Sequence, residues 1–251
     1  MRVFEYQDNT IRNIRNVFAD ELTNNRFVED KTGARVLEII GASFVTDDDH
    51  IFGAPNPGYI YRELEWYESQ SLCVDDIPGG PPPIWKQVAD SKGYINSNYG
   101  WCIWSQDNGR QYDHVVAELK KNPLSRRAVM LYTRPSMWGD YNLDGRSDFM
   151  CTNAVQYLIR DDFLHAQVQM RSNDAWAGYR NDYAWQAHVL EKLAKEIGVQ
   201  PWPAMYWNAG SLHVYEKDFY LVDHYNKTGA SHILKSEYQL RYPDSPFGDK
   251  K

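Results

Sequence analysis

The segment AVQYLIRDDFLHAQVQM, residues 154–170, constrains the fold more than any other stretch of the chain. AVQYLIR reads as a strand, and FLHAQVQM alternates, which places Leu164, Ala166, Val168 and Met170 on one face of an extended chain. Asp161-Asp162 lies between the two runs, so together they read as an antiparallel hairpin. Two further strands are expected at 36–44, VLEIIGASF, and 127–133, RAVMLYT. Helical spacing puts Ile11, Ile14, Phe18 and Leu22 on one face of residues 10–25, behind Thr10 as N-cap. Helices are also expected over 59–70, with Glu63 and Glu65 inside it, and over 112–121, which stops before Asn122-Pro123. A fourth covers 183–197, where Tyr183, Leu190, Leu193 and Ile197 share a face and Gly198 follows as C-cap. The segment 211–225, SLHVYEKDFYLVDHY, reads as a helix, and IPGGPPP at 77–83 as a loop. Strands and helices intermingle, which predicts an α+β fold in a single domain spanning 1–251.

Composition narrows the function classes. At 251 residues the chain can bury roughly 70% of its unfolded surface without a disulfide or metal staple. A net charge of -7 argues against a broad basic surface for direct nucleic-acid binding, while a small anionic ligand needs only a few local cations. Cys73, Cys102 and Cys151 are odd in number and irregularly spaced, which fits a reducing cytoplasm. The N-terminus has no apolar signal core, and no window approaches a membrane span. The 18 Tyr and 9 Trp serve equally as core or as stacking surface for a planar ligand.

No metal site is expected. DYNLDGRSDFMC, 140–151, begins like a calcium loop with Asp140, Asn142, Asp144 and Gly145, but ends on Cys151 where that loop needs a bidentate Glu. DDDH at 47–50 reads as a solvated loop, and neither zinc spacing nor a phosphate-binding glycine motif is present. Cys151 stands between a polar turn and a strand, where a thiol is either inert or, beside positive charge, a nucleophile. Arg126, Arg127 and Arg171, the last beside Ser172, offer forked donors suited to phosphate oxygens. Together they suggest an enzyme acting on a phosphorylated small molecule, with surface ion pairing as the open alternative. RSNDAWAGYRNDYAWQ, 171–186, collects further planar polar groups among aromatic rings.

RELEW, SRRAVM, SDFMCTN, QMRSND with Gly178 following, and GSLHVY resemble, in order and spacing, the thymidylate synthase superfamily. EIIGASF, SNYGW, YTRPSMWGDYNLDG and MRSNDAWAGYRNDYAWQ are similar to one branch of it, the deoxycytidylate hydroxymethylases of large tailed bacteriophages. The resemblance implies a thymidylate synthase-like fold, a large mixed β-sheet covered by helices, paired sheet to sheet in a homodimer. It implies Cys151 as nucleophile and Glu63 as catalytic acid-base group. Arg171 and Ser172 become phosphate ligands, joined by Arg126 and Arg127 reaching into the other subunit's site. Lys31, in DKTG, stands in the phosphate-closing loop. His213 and Tyr215 hold the sugar 3′-hydroxyl, Asp174 contacts folate and base, and Trp85 and Tyr99 lie beside the folate and the reacting carbon. The co-substrate implied is 5,10-methylenetetrahydrofolate. The setting implied is the cytoplasm of an infected host, with association to other phage nucleotide-synthesis proteins left open.

Two departures from the synthase pattern select the branch. Thr152 follows the nucleophile where synthases have His, and Asp182 stands where synthases have Asn. Uracil, with an O4 acceptor and N3–H donor, complements an amide. Cytosine, with an amino donor at N4 and an acceptor at N3, complements a carboxyl that shares one proton with the base. The reaction implied begins with addition of Cys151 to C6 of dCMP. C5 then takes the one-carbon unit, and water, deprotonated by Glu63, adds to the resulting exocyclic methylene. A dUMP-acting hydroxymethylase or synthase, and a non-catalytic nucleotide-binding protein of the same fold, are the alternatives.

Overall fold

The computed structural model describes residues 9–30 and 33–247. In chain order its helices and strands are α1 (Ile11–Thr23), β1 (Val28–Glu29), β2 (Arg35–Val45), α2 (Pro57–Ser69), α3 (Pro83–Val88), α4 (Tyr99–Trp104), α5 (Gln111–Lys121), β3 (Val129–Leu131), α6 (Met137–Asp140), β4 (Thr152–Arg160), β5 (Phe163–Asp174), α7 (Ala177–Ile197), β6 (Gln200–Pro201), β7 (Tyr206–Tyr215), α8 (Phe219–Thr228) and α9 (Lys235–Arg241). The chain divides into two compact units. One comprises Met1–Pro55, Met170–Ala184 and Ala204–Lys251, the other Asn56–Gln169 and Trp185–Pro203. Both β5 and α7 run through the division. Among the described residues no helix is long and apolar enough to cross a membrane.

In the first unit, β2 pairs antiparallel with β7 from Val36 opposite Tyr215 to Val45 opposite Tyr206. β1 adds to the free side of β2, and the end of β5 lies beside β7. The Ala175 N–H donates to the His213 carbonyl at 2.8 Å, which ties those last two segments together. α1 begins where expected: the Thr10 side chain accepts from the Asn13 N–H, and Ile11, Ile14, Phe18 and Leu22 are all buried. The expectation for 211–225 fails in its first part. Residues 211–215 finish β7, and the helix there starts only at Phe219. Leu212, His213 and Val214 are buried in succession, so this end of the strand shows no alternation to read. α7 also starts earlier than its apolar spacing suggests, at Ala177, and ends as expected before Gly198, whose φ is 89°.

In the second unit the hairpin forms as the sequence predicts. Asp161 and Asp162 have φ of 52° and 65°, the paired left-handed conformation of a two-residue turn matched to strand twist. β3 pairs antiparallel with β4 but is shorter than the expected 127–133, and β6 pairs parallel with β5, so the strand pairing is mixed. Leu164, Ala166 and Val168 are buried while Gln169 is exposed, the alternation read from the sequence. Helix α4 packs against α2 at Gly100, where a β-carbon would stand 1.7 Å from the Tyr67 carbonyl oxygen. That approach stacks the Tyr67 and Tyr99 rings with centroids 5.2 Å apart. The indole of Trp185 donates to the Tyr132 hydroxyl at 3.1 Å in the same cluster. Much of the aromatic content is therefore core.

Candidate active site

Glu63 is buried at the middle of α2, 5% exposed, a rare state for a helix glutamate. One turn earlier, Tyr59 donates its hydroxyl to Glu63 Oε1. The Trp85 indole N–H, on α3, lies 3.1 Å from that same oxygen and 3.0 Å from the Tyr59 oxygen. Burial lifts the Glu63 carboxyl above the ordinary carboxylate range, against the opposing pull of hydrogen bonds from Tyr59 and Trp85. Burial, reinforced by the Glu63 charge, raises the Tyr59 hydroxyl as well. Glu65 and Glu68 on the same helix are exposed, and Glu68 pairs with Lys192 at 2.7 Å. Glu63 thus combines restricted water access with raised basicity, as a general base near neutrality requires. Tyr59 went unread in the sequence, although its spacing of one helical turn from Glu63 was the available signal.

The cysteines are distinguished by environment. Cys102 is buried in α4, and burial pushes its thiol up to about 12, which removes it from thiolate chemistry at neutral pH. Cys151 is half-buried immediately before β4. Within the calcium-like run ahead of it, Asp148 accepts from the Asn96 N–H at 2.6 Å and the Ser97 hydroxyl at 2.5 Å, a structural use. Among the described residues one grouping has metal-ligand proximity, Asp48, Asp49 and His50, and Asp48 is already paired with Arg15 at 2.7 Å. Tyr99 is buried at the start of α4. Arg126 and Arg127 are exposed ahead of β3, and Arg127 pairs with Glu118 of its own chain at 3.0 Å.

The remaining expected residues lie in the first unit. Arg171 is exposed and Ser172 half-buried, side by side near the end of β5. Asp174 and Asp182 flank Gly178, whose added β-carbon would stand 3.2 Å from Asp174 Cβ and 3.7 Å from Asp182 Oδ2. Asp174 Oδ1 accepts from the Trp176 N–H at 2.8 Å. Asp182 Oδ2 accepts from the Asn173 side-chain amide at 2.8 Å. His213 and Tyr215 sit on β7 with their rings edge to face, 4.9 Å apart. Ser211 lies 3.3 Å from His213 Nδ1 and donates to Glu38 on the paired strand, which steadies the imidazole. Burial drives Asp174 up and His213 down, both toward neutrality, despite their mutual attraction. Burial and then the Asp174 charge push the buried Asp218 carboxyl up to about 7. Lys31 lies outside the described residues.

The chain belongs to the thymidylate synthase family, whose model matches residues 16–240. It is 59% identical over 239 residues to the deoxycytidylate 5-hydroxymethyltransferase of Enterobacteria phage T4, covering 93% of this chain and 97% of that one. The phage T2 enzyme of the same name is also 59% identical, over 235 residues, 91% of this chain and 96% of the other. A thymidylate synthase from Buchnera aphidicola is 27% identical over 186 residues, 72% and 66% of the two chains. The thermostable thymidylate synthase A from Bacillus subtilis shares the fold, with a TM-score of 0.64 at 21% identity over 87% of this chain and 84% of that one. The α+β, thymidylate synthase-like expectation therefore holds.

Proposed function

We propose that the protein converts dCMP to 5-hydroxymethyl-dCMP, with 5,10-methylenetetrahydrofolate giving the one-carbon unit and water the hydroxyl. The strongest support is the 59% identity, over nearly the full length of both chains, to the phage T4 deoxycytidylate 5-hydroxymethyltransferase. The whole chain acts as one catalytic domain. Arg171, Ser172 and Lys31 bind the phosphate, His213 and Tyr215 the sugar hydroxyl, and Asp182 the cytosine edge. Cys151 adds through sulfur to C6, which makes C5 a carbanion equivalent and lets it form the new carbon–carbon bond. C5 then loses its proton as the bond from the transferred carbon to the folate nitrogen breaks, so tetrahydrofolate departs and an exocyclic methylene is left on the ring. Glu63 takes a proton from water as the oxygen adds to the exocyclic methylene, and the sulfur leaves C6 as thiolate to restore the aromatic ring.

The donor set fits a folate. Methylenetetrahydrofolate supplies a carbon at the formaldehyde oxidation level. Trp85, half-buried and fixed through its N–H by Tyr59 and Glu63, offers an immobilised ring for stacking a pterin. Asp174, its carboxyl raised by burial, suits the amino-pyrimidinone edge, and Tyr99 is the candidate hydroxyl for the reacting carbon. The protein works as a homodimer in the host cytoplasm, with Arg126 and Arg127 each serving the opposite subunit's phosphate. The face proposed for pairing is the one on β4 and β5 where Gln156, Leu158, Phe163 and Gln167 alternate with the buried residues.

Mass spectrometry of the nucleotide after incubation with dCMP and methylenetetrahydrofolate tests the reading. A gain of one hydroxymethyl group with release of tetrahydrofolate is expected. A methylated product with dihydrofolate, or turnover confined to dUMP, would refute it.

A further inference from the structure

Asn173 has no role in the resemblance, yet it is 2% exposed and both ends of its amide are engaged. Nδ2 donates to Asp182 Oδ2 at 2.8 Å, and Oδ1 accepts from the indole N–H of Trp207 at 3.2 Å. An indole nitrogen can only donate, so it settles which end of the amide faces which neighbour: the carbonyl turns to Trp207 and the NH2 to Asp182. Trp207 is fully buried on β7 and packs edge to face on Tyr179, ring centroids 5.2 Å apart. Gly178 lies alongside this contact: a β-carbon there would stand in van der Waals contact with Asn173 Nδ2, at 3.4 Å.

We infer that Asn173, oriented by Trp207, is a positioning residue that fixes Asp182 Oδ2 as a hydrogen-bond acceptor and so sets which base the carboxyl reads. The inference rests on the proposed contact between Asp182 and the base. An oxygen that faces an N–H donor is the disfavoured place for a proton, so any proton on Asp182 belongs on Oδ1. In that state Oδ2 accepts from a cytosine amino group while Oδ1 shares its proton with N3. Uracil needs the reverse arrangement, a donor toward O4 and an acceptor toward N3–H. An unanchored carboxyl reaches that arrangement by moving its proton to Oδ2. The Asn173 donor opposes this, so the discrimination lies in the amide orientation as much as in the carboxyl itself.

The test compares wild type, Asn173→Ala, Trp207→Phe and Asp182→Asn, each checked by thermal melting. Calorimetry measures dCMP and dUMP affinity, and steady-state assays with methylenetetrahydrofolate give KM and kcat. Loss of a hydrogen bond to a charged group corresponds to a roughly 10- to 100-fold change. That is the expected fall in the dCMP-over-dUMP affinity ratio for Asn173→Ala, through weaker dCMP and unchanged or tighter dUMP binding, with KM affected more than kcat. Trp207→Phe keeps a ring but removes the N–H, and is expected to lose part of the same ratio. It decides alone should Asn173→Ala fail to fold. If the folded variants keep the wild-type ratio while Asp182→Asn reverses it, the positioning role is refuted and the reading of Asp182 stands. If Asp182→Asn also leaves the ratio unchanged, both fall.

Discussion

Tyr59→Phe isolates one of the two donors on Glu63. The ring and its packing remain, and the losses are the hydroxyl bonded to Glu63 Oε1 and one acceptor for the Trp85 N–H. A hydrogen bond to a charged group is worth about 1.5–3 kcal/mol, and about 1.4 kcal/mol corresponds to one pH unit of proton affinity. Both present donors favour ionised Glu63 and oppose the dominant effect of burial. Losing one strengthens proton binding, so the carboxylate persists over a narrower alkaline range. If Glu63 must be ionised to activate water, the acidic limb of the kcat/KM profile moves up by roughly one to two pH units. Turnover on that limb falls by about 10- to 100-fold at fixed pH, and recovers as pH is raised. Initial rates across the neutral range, alongside dCMP affinity, measure this. An unmoved limb in a folded variant that binds dCMP normally would refute control by Glu63 ionisation, and a downward shift would invert the sign of the argument.

Glu63→Gln should abolish hydroxymethylation while leaving the melting temperature equal or higher, because the amide oxygen still accepts from Tyr59 and Trp85 and no buried charge remains. The sign follows from the raised folded-state value: Glu63 favours folding at low pH and loses that contribution as pH rises through it, and Glu63→Gln should flatten this dependence in thermal melts. Gly100→Ala sets a methyl 1.7 Å from the Tyr67 carbonyl oxygen, so separation of α4 from α2 should cost at least about 1–3 kcal/mol, read from denaturant unfolding. Mixing inactive Cys151→Ala and Arg127→Ala proteins should restore turnover if Arg127 acts across the dimer, because one site of each hybrid then holds both groups; no recovery after verified subunit exchange would exclude it.

The hairpin and α1 were legible because each carries a one-sided apolar period and a local stop or start signal, Asp161-Asp162 in one and Thr10 in the other. Glu63, Asp174 and Asp182 stood out only through motif resemblance, since an acid gives no periodic signal, whereas Cys151 was already a candidate by its place between a polar turn and a strand. β7 was misread because Leu212, His213 and Val214 are all buried, which erases the alternation that marks a half-exposed strand. The start of α7 was missed because Gly178, Asn181 and Asp182 break its amphipathic pattern, a conflict expected where side chains serve a site rather than a core. Tyr59 and Asn173 act through other residues. Only coordinates reveal that a phenol meets Glu63 or that an amide faces both Trp207 and Asp182.

The two-aspartate turn between β4 and β5 has no slack. A single added residue there would push the second strand along by one place, and every side chain up to Arg171 and Ser172 would exchange inside for outside. Redesign of the pocket for another nucleotide therefore has a remote constraint: insertions belong at helix ends such as Gly198 or Gly229, and the length of this bend must be left alone.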